Sequence, residues 1–208
     1  MSALPLKKHV YSLEEYAELE KDSEERLEYF DGNVWSMAGA SPTHEEIVIN
    51  TAAELKNNLR GKGCRIFGSN LRVKVLVYKP YRYPDVTALC DEPVYEDFHG
   101  LQVLINPALI VQILSPSTES FDEGDKFTYY KSIESFTEYL LISQEHPRVV
   151  LFTKQDAKTW LHREYNSLTE SVHLSSLDCE LRLSEIYLDI EFPKPARPRF
   201  PFEREEFR

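Results

Sequence analysis

The chain has 208 residues and a formal net charge of −11, with 35 acidic against 24 basic side chains. A chain of this length buries roughly 70% of the surface its unfolded form exposes, so it needs no disulfide or structural metal to fold. The acidic balance excludes a passive, broadly basic coat for nucleic acid. It leaves a metal-dependent nuclease open, because such a site needs carboxylates and a local basic groove can sit within an acidic remainder. The opening stretch, Met1 to Glu20, has no apolar signal core, and no run is long enough to span a bilayer. A cytoplasmic protein without a membrane partner is expected. Cys64, Cys90 and Cys179 lie far apart, with no CxxC or Cys/His zinc spacing, and are expected to be reduced thiols.

The first predicted element is a short helix from Ser12 to Lys21. Ser12 and Glu15 fit a capping box, and Leu13, Tyr16 and Leu19 fall on one face. A hairpin follows over Arg26–Ala38, turning at Asp31-Gly32, a dipeptide suited to positive φ. Ser41-Pro42-Thr43 opens the best helix, which runs to about residue 60. Its buried stripe is Ile47, Val48, Thr51, Ala52, Leu55 and Leu59, and Gly61 or Gly63 ends it. Strands are predicted at 64–67, 71–77 and 85–90. The second of these alternates Leu71, Val73, Val75 and Val77 with Arg72 and Lys74. Residues 91–106 read as a loop.

Residues 108–114 are nearly all apolar, as in a central strand covered on both faces. A helix is predicted at 122–132 and another central strand at 138–142. From Arg148 onward, short alternating strands read as a β-rich extension. The expected organisation is one α/β domain over residues 1–190, a central mixed sheet flanked by helices. Residues 191–208, with four prolines after Phe192, form an extended arm.

Three features could carry chemistry. Asp85 follows Pro84 at the start of one strand, Gln112 interrupts Leu-Ile-Val-x-Ile-Leu in the next, and Lys126 follows on a helix. An acid at a strand end, a polar residue within the adjacent strand and a lysine can build a metal-dependent phosphodiesterase site. Each also has a plain reading. Pro-Asp is common turn chemistry. A buried Gln is costly only without hydrogen-bond partners. Asp122 and Lys126, four apart, have the spacing of a surface ion pair. Glu28 could be a solvated strand residue, and His44, in a helical first turn, is unremarkable. Arg65, Arg72, Lys74, Lys79 and Arg82 form the dense basic stretch, which suits either a solvated strand face or a DNA contact.

Together these residues carry a resemblance. Arg26-Leu27-Glu28-Tyr29-Phe30-Asp31-Gly32, Pro42 with His44, Tyr83-Pro84-Asp85-Val86, Leu109 to Thr118, Asp122 with Lys126 and Tyr130, and Glu138-Tyr139-Leu140 match successive blocks of a known family. The chain resembles the Uma2 family of restriction-endonuclease-like proteins, a bacterial group within the PD-(D/E)xK nuclease superfamily. The resemblance covers roughly residues 10 to 155. It departs at two places: Gln112 stands where the family has Glu, and Ile142-Ser143-Gln144 replaces its usual Val-Asp-Pro.

The resemblance implies a restriction-endonuclease-like core and hydrolysis of DNA phosphodiester bonds by an Mg²⁺-dependent endonuclease, with Mn²⁺ as an alternative cation. It implies Asp85, Gln112 and Glu28 as metal ligands and Lys126 as the residue that stabilises charge on the phosphorus. Arg72, Lys74 and Arg82 are the candidate DNA contacts. Cutting both strands would favour a homodimer. The competing expectation is a nuclease-like scaffold, weakened or inactive because of Gln112, with a DNA-binding or assembly role.

Overall fold

Ser12 begins the first helix by accepting a hydrogen bond from the Glu15 N–H at 3.1 Å, while the Glu15 carboxylate accepts from the Ser12 N–H at 2.7 Å. This reciprocal pair satisfies two amides that a helix start otherwise leaves bare. The computed structural model describes residues 10–24, 27–30, 32–36, 39–76, 81–116 and 119–192. Helix α1 (Leu13–Asp22) is followed by the hairpin β1 (Leu27–Phe30) and β2 (Asn33–Ser36). Gly32, with φ of +75°, lies so close to the Val10 side chain that a Cβ would collide with it. Helix α2 (Pro42–Asn58) is capped by Ser41, whose hydroxyl accepts from the His44 N–H at 3.1 Å.

Among the described residues, six strands make the central sheet, in the order β12-β11-β10-β9-β6-β3. They are β3 (Arg65–Gly68), β6 (Val86–Leu89), β9 (Leu109–Leu114), β10 (Glu138–Ser143), β11 (Val149–Lys154) and β12 (Trp160–Tyr165). Strands β9 and β10 run parallel and the other neighbours antiparallel, so the sheet is mixed. The strands expected after Arg148 therefore widen the central sheet before the chain leaves it for the hairpin β13 (Ser171–Leu174) and β14 (Cys179–Arg182).

One strand expected in the centre lies elsewhere. Strand β4 (Arg72–Lys74) belongs to a second six-stranded sheet with the order β2-β1-β5-β4-β8-β7. Its other members are β5 (Tyr81–Arg82), β7 (Tyr95–Phe98) and β8 (Leu101–Leu104). The last two fall in the stretch read as a loop. They turn through His99-Gly100, both with positive φ, which joins a right-twisted hairpin tightly. Nothing but the glycine announced that turn, because His is an uncommon partner for it. Val77 and Lys79 lie outside the described residues.

The central sheet is apolar on both faces, as the unbroken apolar run of β9 requires. Leu109, Val111 and Ile113 face a core built with Ile47 and Leu55 of α2, with the β13–β14 hairpin and with α5 (Leu183–Ile186). Ile110 and Leu114 face the other way, toward Phe127, Tyr130 and Phe136 and toward Val73 and Leu104 of the second sheet. Gln112 shares that second face by the two-residue period of the strand. Helix α1 covers the far side of the second sheet, with Tyr16 fully buried among Tyr29, Tyr81 and Phe98.

Cys64 and Cys90 are joined in a disulfide, which corrects the expectation of three reduced thiols. Arg65 pairs with Leu89 across β3 and β6, so the residues one step beyond, Cys64 and Cys90, face each other. That pairing could not be read from two cysteines far apart in sequence. Cys179 is a buried free thiol. The expected arm lies outside the described residues from residue 193 onward.

Candidate active site

The β6–β9 register sets two of the expected residues opposite each other. Val86 pairs with Val111 in the antiparallel ladder, so Asp85, one residue earlier, stands across from Gln112. Asp85 Oδ2 accepts from the Ile113 backbone N–H at 2.7 Å. This bond fixes the carboxylate at the strand end and leaves Oδ1 turned toward His44, whose Nε2 lies 3.5 Å away. Pro84 suits this spot, because it stiffens the approach to a strand's first residue.

Gln112 is buried at 3% exposure and its amide is satisfied at both ends. Its oxygen accepts from the Lys126 ammonium at 3.1 Å, and its nitrogen donates to the Tyr130 hydroxyl at 3.3 Å. Lys126 comes from a helical segment of three parts: α3 (Glu119–Phe121), a wider π turn (Asp122–Lys126) and α4 (Phe127–Tyr130). A π turn inside a helix redirects side chains and is common at functional sites. Here Asp122 and Lys126 are buried and lie 3.0 Å apart. The spacing that suits a surface pair is therefore a pair inside the protein. Tyr139 donates its hydroxyl to the Asp122 carbonyl at 3.1 Å, which helps to hold the turn.

Electrostatics keep Lys126 charged. Burial pushes its pKa down, but Tyr130, Glu28, Asp122 and Asp85 outweigh burial and carry it above the ordinary lysine value. Burial raises the Tyr130 hydroxyl well above its usual range, although Lys126 pulls the other way. Tyr130 is thus a neutral hydroxyl at neutral pH, where the carboxylates of Glu28, Asp122 and Asp85 are the charges that hold Lys126 as a cation. Burial also pushes His44 down, and hydrogen bonding and charge from Asp85, together with Glu45 and Asp122, outweigh that and raise it.

Glu28 lies within electrostatic reach of Lys126, but its carboxylate is committed elsewhere. Arg82 donates to one oxygen at 2.7 Å and the Tyr83 backbone N–H to the other at 3.3 Å. Arg82 is 2% exposed, and its guanidinium also lies over the rings of Phe121 and Tyr129. Arg72 is 7% exposed and pairs with Glu20 at 2.7 Å. Lys74 pairs with Glu96 at 2.6 Å. The basic stretch before Asp85 is therefore engaged in ion pairs within and beside the second sheet. Among the described residues, no three His, Cys, Asp or Glu side chains gather as a metal site.

A family model described as "Putative restriction endonuclease" matches residues 13–186. The chain belongs to the Uma2 family. Two relatives from Synechocystis sp. are named only as uncharacterized proteins, slr1290 and sll1609. The first is 33% identical over 181 residues, covering 87% of this chain and 93% of the relative. The second is 33% identical over 150 residues, covering 72% and 84%. A crystal structure from Anabaena variabilis, described as a putative nuclease belonging to DUF820, shares the fold with a TM-score of 0.68. That match spans 85% of this chain and 97% of the other at 17% identity, a likeness of fold alone.

Within this Uma2 chain, Asp122 and Tyr130 are named in the sequence only as an ion-pair spacing and as part of a family block, without a role at the site. They flank Lys126 at four-residue intervals, a spacing that places all three on one side of a helix. His44 follows the helix-opening proline by two residues. Its rotamer toward Asp85 depends on how α2 packs against β6 and β9, which no local pattern encodes. No helix among the described residues is long and apolar enough to cross a membrane.

Proposed function

We propose that this chain is an endonuclease that hydrolyses DNA phosphodiester bonds with a divalent cation, Mg²⁺ or Mn²⁺. The observation that carries this reading is the convergence of Asp85 at the start of β6, Gln112 within the neighbouring β9 and Lys126 on the facing π turn. The donor set fits a cation that keeps much of its water. Mg²⁺ favours hard oxygens and is commonly held through one or two carboxylates. Asp85 offers one carboxylate oxygen not taken by the backbone. The Gln112 amide oxygen has a second lone pair beyond the one taken by Lys126. When bound, the cation would polarise a phosphate oxygen and lower the pKa of an attacking water.

The chain's own groups would do the rest. The Lys126 ammonium has three N–H donors, gives one to Gln112 and lies 3.0 Å from Asp122 Oδ1 as an ion pair without a hydrogen bond. A remaining N–H can meet a phosphate oxygen and stabilise the charge that grows in the transition state. Its raised pKa keeps it an electrostatic group and unsuits it as a base at neutral pH. Asp122 and Glu28 hold that charge in place. Arg72 and Arg82 are buried in ion pairs, so DNA contact is not proposed for them. Cleavage of both strands by a site with one such cluster calls for a twofold pair of chains, and a DNA substrate suits the cytoplasmic setting expected from the sequence.

One observation favours a second reading, a nuclease-like scaffold that binds without cutting. Gln112 has a partner at each polar end, as a structural core amide would. The deciding experiment is nicking of supercoiled plasmid with Mg²⁺ or Mn²⁺. Wild-type protein is expected to nick and Asp85→Asn to lose nicking with its fold retained. Nicking by neither protein moves the balance to the scaffold, and equal nicking by both places the cleavage outside the Asp85 site and overturns this assignment.

A further inference from the structure

We propose that His44 Nε2 is a ligand of the divalent cation at this site, beside Asp85 and Gln112, and that it biases the site toward Mn²⁺ over Mg²⁺. The inference rests on the cation proposed above and adds a nitrogen donor to it.

Spacing is the first argument. Two donors about 2.1 Å from one ion and at right angles to each other stand about 3 Å apart. His44 Nε2 and Asp85 Oδ1 are 3.5 Å apart, close to that spacing and long for a hydrogen bond. The pair needs only a small adjustment to take an ion between them. Asp85 is anchored by Ile113, and His44 sits in the first turn of a helix fixed by the Ser41 cap and Pro42. Both donors are carried by anchored backbone.

The second argument is the other imidazole nitrogen. His44 Nδ1 is buried and has no hydrogen-bond partner. A neutral imidazole with its proton on Nε2, facing Asp85, leaves Nδ1 as a bare acceptor. With a cation on Nε2, the proton must sit on Nδ1 instead. A carboxylate stands beside it: Glu45 Oε1 is 3.9 Å away, on a half-exposed side chain. A ligating histidine commonly donates its second N–H to a carboxylate, which fixes the tautomer. The orphaned nitrogen thus acquires a partner in the cation-bound form.

The third argument is the donor balance. Gln112 supplies an oxygen without charge, so the site is one carboxylate poorer than a glutamate-bearing relative. A neutral nitrogen offsets part of that loss only for ions that accept imidazole. Both Mn²⁺ and Mg²⁺ favour oxygen, and Mn²⁺, a first-row transition ion, is the one of the two that also accepts an imidazole nitrogen readily.

The test is Mn²⁺ titration of the full chain, followed by continuous-wave and pulsed electron paramagnetic resonance. Bound Mn²⁺ is expected to show coupling to a directly ligated ¹⁴N nucleus. Labelling the wild type with ¹⁵N-histidine should convert it to ¹⁵N coupling, and His44→Asn should abolish it. The preference for Mn²⁺ over Mg²⁺ should fall on the order of tenfold in that variant, the scale on which metal sites respond to loss of a supporting group. Mn²⁺ bound through Asp85 without histidine coupling, or with coupling that persists in His44→Asn, overturns the role of His44 and leaves the oxygen site standing. Wild type that binds no Mn²⁺, or binds it equally well as Asp85→Asn, overturns the cation reading and this inference together. Because the chain has six histidines, a second variant, His44→Gln, assigns the coupling if His44→Asn does not fold, and coupling that persists in it overturns the role of His44.

Discussion

Lys126 donates to the Gln112 amide oxygen at 3.1 Å, on the buried face that Gln112 shares with Ile110 and Leu114. The same ammonium lies 3.0 Å from Asp122. One cation therefore serves an amide and a carboxylate that would each be costly to bury alone. It also explains how a polar residue can interrupt a central apolar strand without breaking it.

Removing that cation should destabilise the protein well beyond an ordinary core change. Lys126→Met leaves Asp122 buried without its counter-charge, a loss of about 3–5 kcal/mol for a broken buried pair. The double variant Lys126→Met/Asp122→Asn should recover a large part of this, because the stranded charge is gone. Urea unfolding of the wild type, both single variants and the double variant would measure the coupling. Additive losses would show that Lys126 and Asp122 do not act as a pair.

Much of this arrangement was legible in the sequence, and the illegible parts share a cause. Periodicity locates α2, and an unbroken apolar run locates β9, which is buried on both faces. Asp85, Gln112 and Lys126 are picked out by a strand start, a polar interruption of an apolar strand and the family blocks. What periodicity cannot supply is which sheet a strand joins. Residues 71–77 alternate as a sheet strand should, and alternation is the same in either sheet. Likewise Arg72, Lys74 and Arg82 look like a basic strip in one dimension. Their partners Glu20, Glu96 and Glu28 are distant in sequence and reach them only through the fold.

Those partners change what charge substitution at the basic stretch should do. Arg82→Ala strands Glu28 beside a buried backbone and removes the cation over Phe121 and Tyr129. A loss of about 3–5 kcal/mol is expected. Thermal or urea denaturation should register it before any change in DNA affinity is interpretable. A variant of unchanged stability that binds DNA more weakly would make Arg82 a surface contact after all.

The disulfide gives a second stability prediction. Cys64 and Cys90 are 26 residues apart, and closing a loop of that size stabilises by about 3.5 kcal/mol in the chain-entropy account. Non-reducing mass spectrometry should find this pair linked and Cys179 free. Unfolding with and without reductant should differ by that amount. Alkylation of all three cysteines in the native, unreduced protein would remove the link and its contribution.

Cys179 supplies a pH dependence. Burial pushes its thiol from 9.0 up to about 11, with Glu138, Asp178 and Glu54 adding to the rise and Lys62 opposing it. The folded protein holds the neutral thiol more firmly than the unfolded chain does. Its contribution is complete below about 9 and is lost as pH rises toward about 11. Cys179→Ala should flatten the stability profile across that window, on top of a loss of core packing that is the same at every pH. An identical alkaline slope in the variant would place the titrating group elsewhere.

Gln112→Glu separates the two readings of the site. The change adds a carboxylate across from Asp85 with little change in size. The Tyr130 hydroxyl can turn from accepting the amide N–H to donating to the new oxygen, so no polar atom need be stranded. In the enzyme reading, an extra ligand charge tightens Mg²⁺ and Mn²⁺ binding, since site affinity follows the count of charged ligands. The melting temperature of the variant should then rise with added Mn²⁺ more than that of the wild type, as binding to the folded state alone requires. Plasmid nicking should rise with it. In the scaffold reading, the added charge only crowds Asp122 and Asp85 around Lys126, and the variant should be less stable at every Mn²⁺ concentration. A melting temperature lowered by the substitution and indifferent to metal would therefore make Gln112 a satisfied core amide and not a ligand.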